Sequence, residues 1–340
     1  MKKIIILLLI GTAFSCKNMQ SAVAKDNSDP SKYIKAISEK DLKTMLYVVA
    51  SDEMEGRETG SKGQKKAGLY MIEQYKKSGI SFPKGATDYY QHIPASFLNA
   101  RRNENLPDSE NIWAYIEGSE KPDEVLVISA HYDHVGIKNG EVYNGADDDG
   151  SGTVAVIEMA KAFAKAKKDG HGPKRSILFL HVTGEEHGLH GSRYYSENPL
   201  FPIANTITDI NIDMIGRRDV EHAQTNNYVY VIGADRLSTD LHNIVVAQNE
   251  KYTKIDLDFK FNDPKDPNHF YERSDHYNFA KFGIPAVFFF NGVHEDYHGK
   301  GDEPQKIEYD ALTKRTQLAF SVAWDLANRP NRPVVDKPIK

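Results

Sequence analysis

The chain has 340 residues, an ordinary apolar content and a formal net charge of −5. That length allows one large α/β domain or two smaller ones, and mild acidity without a basic stripe argues against a nucleic-acid partner. Cys16 is the sole cysteine, which rules out an intrachain disulfide.

The first residues read as an export signal. Lys2 and Lys3 precede a short apolar run, Ile4 to Ile10, and small residues lead to Ser15-Cys16. The run is too short for a stable membrane span. A lone cysteine just after it resembles a bacterial lipoprotein cleavage site, although Phe14 is bulky and Ala13 replaces the usual leucine. Lipid on Cys16 would hold the protein at a membrane surface without crossing it; the alternative is ordinary signal cleavage nearby. The expected organisation is a signal peptide over 1–15, a lipid-anchored flexible tether over 16–36, one domain over 37–327 and a flexible tail over 328–340. An exported protein of the periplasm or cell envelope follows.

Ser38-x-x-Asp41 predicts a helix cap and a helix to about Ala50. A second helix is expected from Gln64 to Ser78, with Ala67, Tyr70, Met71 and Tyr75 on its apolar face and Gly79 ending it. Strands are predicted at Val125–Ala130, Ile177–Val182, Thr208–Asp213 and Ala286–Phe290, with Tyr228–Ile232 as an extra or edge strand. Helix-patterned segments over 153–166 and 239–250 lie between them. Buried strands alternating with helices predict an α/β fold, a mostly parallel central sheet flanked by helices on both faces. In such folds reactive groups gather beyond the carboxyl ends of the strands. The polar region 256–273 reads as a long loop.

Each predicted strand end delivers a polar residue suited to a metal. The first ends in His131, with Asp133 two residues on and able to accept a hydrogen bond from the ring. Asn144-Gly-Ala-Asp147-Asp148-Asp149-Gly-Ser-Gly follows, and three adjacent carboxylates oppose folding unless positive charge offsets them. Glu185-Glu186, Asp213 and a loop bearing His298 come next. Two histidines and three carboxylates suit two zinc ions with open positions. One carboxylate must bridge, and Asp148 is the natural choice. Glu185, beside the ligand Glu186, is then free for proton transfer.

Taken in order, His-x-Asp, Gly-Ala-Asp-Asp-Asp-x-Ser-Gly, Glu-Glu-x-Gly-Leu-x-Gly-Ser, Asp-Met, Ser-Asp-His and a late His resemble the dinuclear zinc aminopeptidases of the leucyl aminopeptidase and aminopeptidase Y type. The likeness covers about residues 45–325 and includes Ser51-Asp-Glu-Met-Glu-Gly-Arg57. It implies two zinc ions bridged by Asp148, with His131 and Asp213 on one and Glu186 and His298 on the other. It also implies Glu185 as general base and then acid, Asp133 and Asp275 supporting the ligands, Tyr271 near the oxyanion, and peptide substrates with a free N-terminus. His134 is common in the family without a defined role, and His187 and His190 are not needed by the motif. Some secreted relatives carry a cysteine pair near the tyrosine, where this chain has Arg273. The rival readings are a one-zinc glutaminyl cyclase, a carboxypeptidase or dipeptidase on the same fold, and a non-catalytic binding protein.

Overall fold

The computed structural model describes residues 29–102 and 104–339, so the expected signal peptide and Cys16 lie outside the described residues. The strands are β1 (Tyr90–Ile93), β2 (Ser109–Ile116), β3 (Lys121–His131), β4 (Gly136–Lys138), β5 (Glu141–Tyr143), β6 (Arg175–Val182), β7 (Thr206–Ile212), β8 (Tyr228–Ile232), β9 (Asp256–Asp258) and β10 (Ala286–Phe290). All but the β4–β5 hairpin form one sheet, ordered β1-β2-β6-β3-β7-β10-β8-β9. Its centre, β6-β3-β7-β10, is parallel throughout. The antiparallel additions are β2 on β6, β1 on β2, and β8 on β10. The predicted α/β class holds, with a parallel centre and mixed margins. β8 is not an edge, because β9 pairs with its outer side.

Side-chain alternation divides the core. Leu126, Ile128 and Ala130 face the larger cluster, built with the helices Glu39–Val49, Gly152–Lys168 and Tyr309–Asn328. Val125 and Val127 face the opposite cluster, with Tyr195 and Phe279 from the helices His190–Glu197 and His276–Ala280. Each fully buried Leu, Ile, Val or Phe among them contributes about 1.5–3 kcal/mol. Gly152–Lys168 lies between the sheet and other helices, which explains its apolar residues on nearly every side. Ser38 caps its helix by accepting the Asp41 N–H at 3.1 Å, and Ser61 caps Lys62–Lys77 by accepting from Gln64 at 3.2 Å.

Two expected boundaries are corrected, and β7, along which polar and apolar residues alternate, is buried on both faces. Its polar side chains find partners: Asp209 accepts from the Ser129 hydroxyl at 2.8 Å and Asn211 donates to Ser274 at 2.7 Å. Packing begins before residue 37, since Tyr33, Ile34 and Ile37 are buried and Tyr33 stacks on Trp324 at 5.4 Å. The terminal segment is also held: Arg175 Nη2 donates to the Pro330 carbonyl at 3.1 Å, and the Asp336 N–H to the Leu237 carbonyl at 3.1 Å. Among the described residues no helix is long and apolar enough to cross a membrane.

Candidate metal centre

The carboxyl ends of β3, β6, β7 and β10 converge, and each supplies or leads into a polar residue of the centre. β3 ends in His131, β6 leads into Glu185-Glu186, β7 into Asp213, and β10 into the loop carrying His298. After β3 the chain makes the β4–β5 hairpin and then the acidic turn 146–151 before the long helix. The Asp148–Asp149 peptide bond is cis. Gly152 has no side chain where a Cβ would lie 2.2 Å from the Ile212 carbonyl oxygen, so the acidic turn can press against the end of β7.

Asp148 stands between two donor groups. On one side His131 Nε2 lies 3.1 Å from Asp148 Oδ1 and 3.6 Å from Asp213 Oδ1. On the other, His298 Nε2 lies 3.2 Å from Asp148 Oδ2 and 3.0 Å from Glu186 Oε2. The structure therefore brings His131, Asp148, Glu186, Asp213 and His298 together. Among the described residues, His131, Asp148 and Asp213 form one group with metal-ligand spacing, and His134, Asp148 and Glu186 form another. Buried Asp148 Oδ2 and Glu186 Oε1 have no hydrogen-bond donor. Buried oxygens without donors, crowded by carboxylates and imidazoles, fit a pair of divalent cations better than they fit one another. Burial opposes the charge on Asp148, but His131 and His298 hold its carboxyl well below the usual range.

The rest of the acidic turn carries structure. Asp147 Oδ1 accepts the Gly216 N–H at 2.6 Å, and its Oδ2 meets His294 Nε2 at 3.1 Å. Asp149 Oδ1 accepts the N–H groups of Gly152 and Met214 at 2.8 and 3.1 Å. Arg57, fully buried, adds one positive charge near the turn. Its guanidinium donates to the carbonyls of Val49, Tyr132, Asn144 and Gly145 at 2.7–2.9 Å. These bonds clamp the start of the turn onto the N-terminal segment.

Glu185 adjoins the cluster but belongs to neither donor group. Burial pushes its carboxyl well above the usual range, and Glu186, Asp213 and Asp275 act in the same direction; cations in the centre would act against that shift. Its backbone N–H donates to Asp133 Oδ1 at 3.2 Å, and Thr59 donates to Asp133 Oδ2 at 2.9 Å. Asp133 therefore orients Glu185 directly. Its contact with His131 Nδ1 is through the backbone carbonyl at 3.1 Å, with the carboxylate farther off at 3.7 Å. Asp275 is fully buried, hydrogen-bonds the Ser192 hydroxyl, and is pushed by burial to about 7.

Tyr271 is not brought to the cluster. Its ring packs under the Arg236 guanidinium and against His276 and Tyr277. The cavity beside Asp148, Glu185 and Asp213 is instead bordered by Tyr297 and Arg273, over an apolar floor of Phe270, Phe288 and Phe290. Tyr297 stacks on His298 with ring centroids 3.9 Å apart. His187 pairs with Glu104, and His190 is buried near Arg193, both away from the donors. Sequence reasoning also passed over supports distant in sequence: Ser274 donates to Asp213 Oδ2 at 2.6 Å, and Asp302 accepts the N–H groups of Asp147 and Asp148.

Residues 111–323 match the model of Peptidase family M28, a span that holds every candidate ligand. The chain belongs to peptidase family M28. A probable zinc metalloprotease of Pyrenophora tritici-repentis (strain Pt-1C-BFP) is 26% identical to this M28 chain over 271 residues, covering 66% of this chain and 52% of the relative. The chain spans about half the length of the curated relatives it matches first. Among solved structures, the LapA aminopeptidase of Legionella pneumophila superposes with a TM-score of 0.67 at 20% identity, covering 96% of this chain and 81% of that one. The glutaminyl cyclase of Porphyromonas gingivalis superposes with a TM-score of 0.64 at 16% identity, covering 84% and 97%. At these identities the likeness is one of fold, and both enzymes share it. Chemistry at this M28 centre has to separate them.

Proposed function

We propose that this protein is a zinc-dependent aminopeptidase that removes the N-terminal residue from peptides with a free N-terminus. The observation that carries the reading is Asp148 between two donor groups, with Glu185 beside them and committed to neither. Two zinc ions would be held by His131, Asp148 and Asp213 and by Asp148, Glu186 and His298. Bound there, zinc would supply Lewis acidity that makes a water nucleophilic near neutral pH and polarises the scissile carbonyl. Glu185 takes the proton of the attacking water at its carboxylate and later gives it to the leaving amine. Asp133 keeps Glu185 in place through its backbone N–H. Tyr297, on the cavity wall, would donate to the developing oxyanion. The apolar floor suits an apolar N-terminal side chain, and the acidic side chains suit its ammonium group.

Export, with lipid on Cys16 as a membrane-surface anchor, completes the proposal, on the strength of the N-terminal sequence alone.

A dipeptidase reading has one observation in its favour. Arg273 borders the cavity, makes no ion pair among the described residues, and could receive a terminal carboxylate. The test is a panel of leucyl, glutaminyl and N-acetylated reporter peptides, with free and amidated dipeptides, before and after chelation and zinc return. An aminopeptidase cleaves only unblocked substrates, loses activity to the chelator and regains it with zinc. Cleavage of blocked peptides, or cyclisation of glutaminyl substrates in place of hydrolysis, would overturn the reading; a strict need for the free dipeptide carboxylate would favour the dipeptidase.

A further inference from the structure

We propose that His134 is an additional donor to the second cation group and makes the ion there the more firmly held of the two. The inference rests on the two-cation reading above and extends it.

His134 is fully buried, and neither ring nitrogen has a hydrogen-bond partner. A buried polar atom left unsatisfied is costly, so an imidazole with two such atoms calls for an explanation. Its Nδ1 lies 2.8 Å from Glu186 Oε1 and 3.8 Å from Asp148 Oδ2. The shorter distance is within hydrogen-bonding range, but the geometry makes no hydrogen bond. His134, Asp148 and Glu186 each offer an atom at the mutual spacing of ligands of one ion.

The backbone is built to hold the ring there. The His134 N–H donates to the Arg57 carbonyl at 3.2 Å, and Arg57 Nη2 donates to the Gly145 carbonyl at 2.8 Å. Gly145 has φ +55°, and a Cβ on it would stand 2.4 Å from His134 Cγ. Any side chain at 145 would displace the imidazole. The other histidine at Glu186 differs: His298 is 43% exposed, on a loop, with its ring centroid 6.0 Å from that of His134. Glu186 turns Oε1 to the buried imidazole and Oε2 to the exposed one.

The consequence is asymmetry. His131, Asp148 and Asp213 offer three donors and leave zinc an open position. His134, His298, Asp148 and Glu186 offer four, enough to close a tetrahedral shell. The second ion is then retained while the first exchanges.

The test measures zinc per chain and stepwise affinity in zinc-buffered solutions for the wild type, His134→Gln and His298→Ala, with circular dichroism and melting in excess zinc as folding controls. The wild type should keep one ion at zinc levels that strip the other. His134→Gln should weaken that retained ion at least 10-fold. His298→Ala, altered at an exposed loop, should still bind two ions, because His134, Asp148 and Glu186 remain. A folded His134→Gln protein with both wild-type affinities would overturn the inference, as would His298→Ala holding a single ion. If His134→Gln does not fold, the His298→Ala stoichiometry decides alone. A wild type that binds no zinc would instead overturn the two-cation reading itself.

Discussion

The carboxylate of Asp302 accepts the backbone N–H of Asp148 at 3.0 Å. The same carboxylate accepts the N–H of Asp147 at 3.0 Å, and the Asp302 carbonyl accepts from Ala146 at 3.0 Å. One residue from the loop after β10 therefore fixes the backbone of the acidic turn. Asp302→Ala leaves two buried N–H groups without acceptors, a loss of about 2–6 kcal/mol at 1–3 kcal/mol each. Asp302→Asn, which keeps one acceptor oxygen, should lose less. Denaturant melts of both variants check the ranking, and zinc affinity should fall in the same order because Asp148 loses its support.

Glu185 invites a substitution that separates proton transfer from metal binding. Glu185→Gln keeps the size of the side chain and its backbone bond to Asp133 but removes the proton acceptor. Turnover of a leucyl reporter should fall by about 10²- to 10⁴-fold, with zinc per chain unchanged because Glu185 is outside both donor groups. Elemental analysis beside kinetics checks this. Wild-type turnover would refute the assignment.

The parts of this molecule that sequence exposes are those written locally. β3 from Val125 onward, β6 and β10 are buried on both faces and read as apolar runs, and the five candidate ligands stand at or just beyond strand ends or in one following loop. β2 was not apparent, because Ser109, Glu110 and Asn111 look like surface residues. They are buried against partners far away in sequence: Asn111 donates to Gln91 at 2.9 Å, and Ser109 pairs with Thr183 at 2.8 Å. The helix Tyr309–Asn328 hides likewise, with Arg315 on its buried face donating to the Tyr228 and Ile215 carbonyls at 2.7 and 2.9 Å. At the centre, Asp302, Ser274 and Thr59 reach their partners across tens of residues or more, and no spacing rule encodes such contacts. His134 was visible beside His131, but only the fold turns it toward Glu186.

His181 gives a pH dependence of stability with a definite sign. It lies buried in β6, with Nε2 2.5 Å from the Tyr75 hydroxyl, and burial pushes its pKa down to about 3 from 6.5. Between those values the unfolded chain binds a proton that the folded protein excludes. The contribution is complete above about pH 6.5 and is lost as pH falls toward 3. His181→Gln should flatten the decline of unfolding free energy in that window by up to about 1.4 kcal/mol per pH unit. Denaturant melts at several pH values for the two proteins check it; parallel curves would mean that His181 takes up its proton in the folded state.

Two tyrosines compete for the oxyanion, and paired phenylalanine variants decide between them. Family resemblance favours Tyr271, but its hydroxyl belongs to a side chain packed under Arg236 and beside Tyr277, outside the cavity wall. Tyr297 is on that wall, near enough to Asp148, Glu185 and Glu186 that their charges join burial in pushing its hydroxyl pKa up. A phenol with an unperturbed pKa near 10 is already a neutral O–H donor near neutral pH. Removing one oxyanion donor costs about 10²- to 10³-fold in kcat where the donor acts alone; with a metal sharing that task, about 10-fold is expected for Tyr297→Phe. KM should change little, because the bond strengthens only as charge develops. Tyr297 also stacks on the candidate ligand His298, so zinc affinity must be measured in parallel: an unchanged affinity assigns the loss to the hydroxyl, since phenylalanine retains the stacking ring. Tyr271→Phe should remain within about twofold of wild type, because no hydroxyl contact with the centre is lost. The reverse pattern, with Tyr271→Phe impaired and Tyr297→Phe active, would mean that the loop over 259–273 rearranges on binding substrate and carries Tyr271 inward.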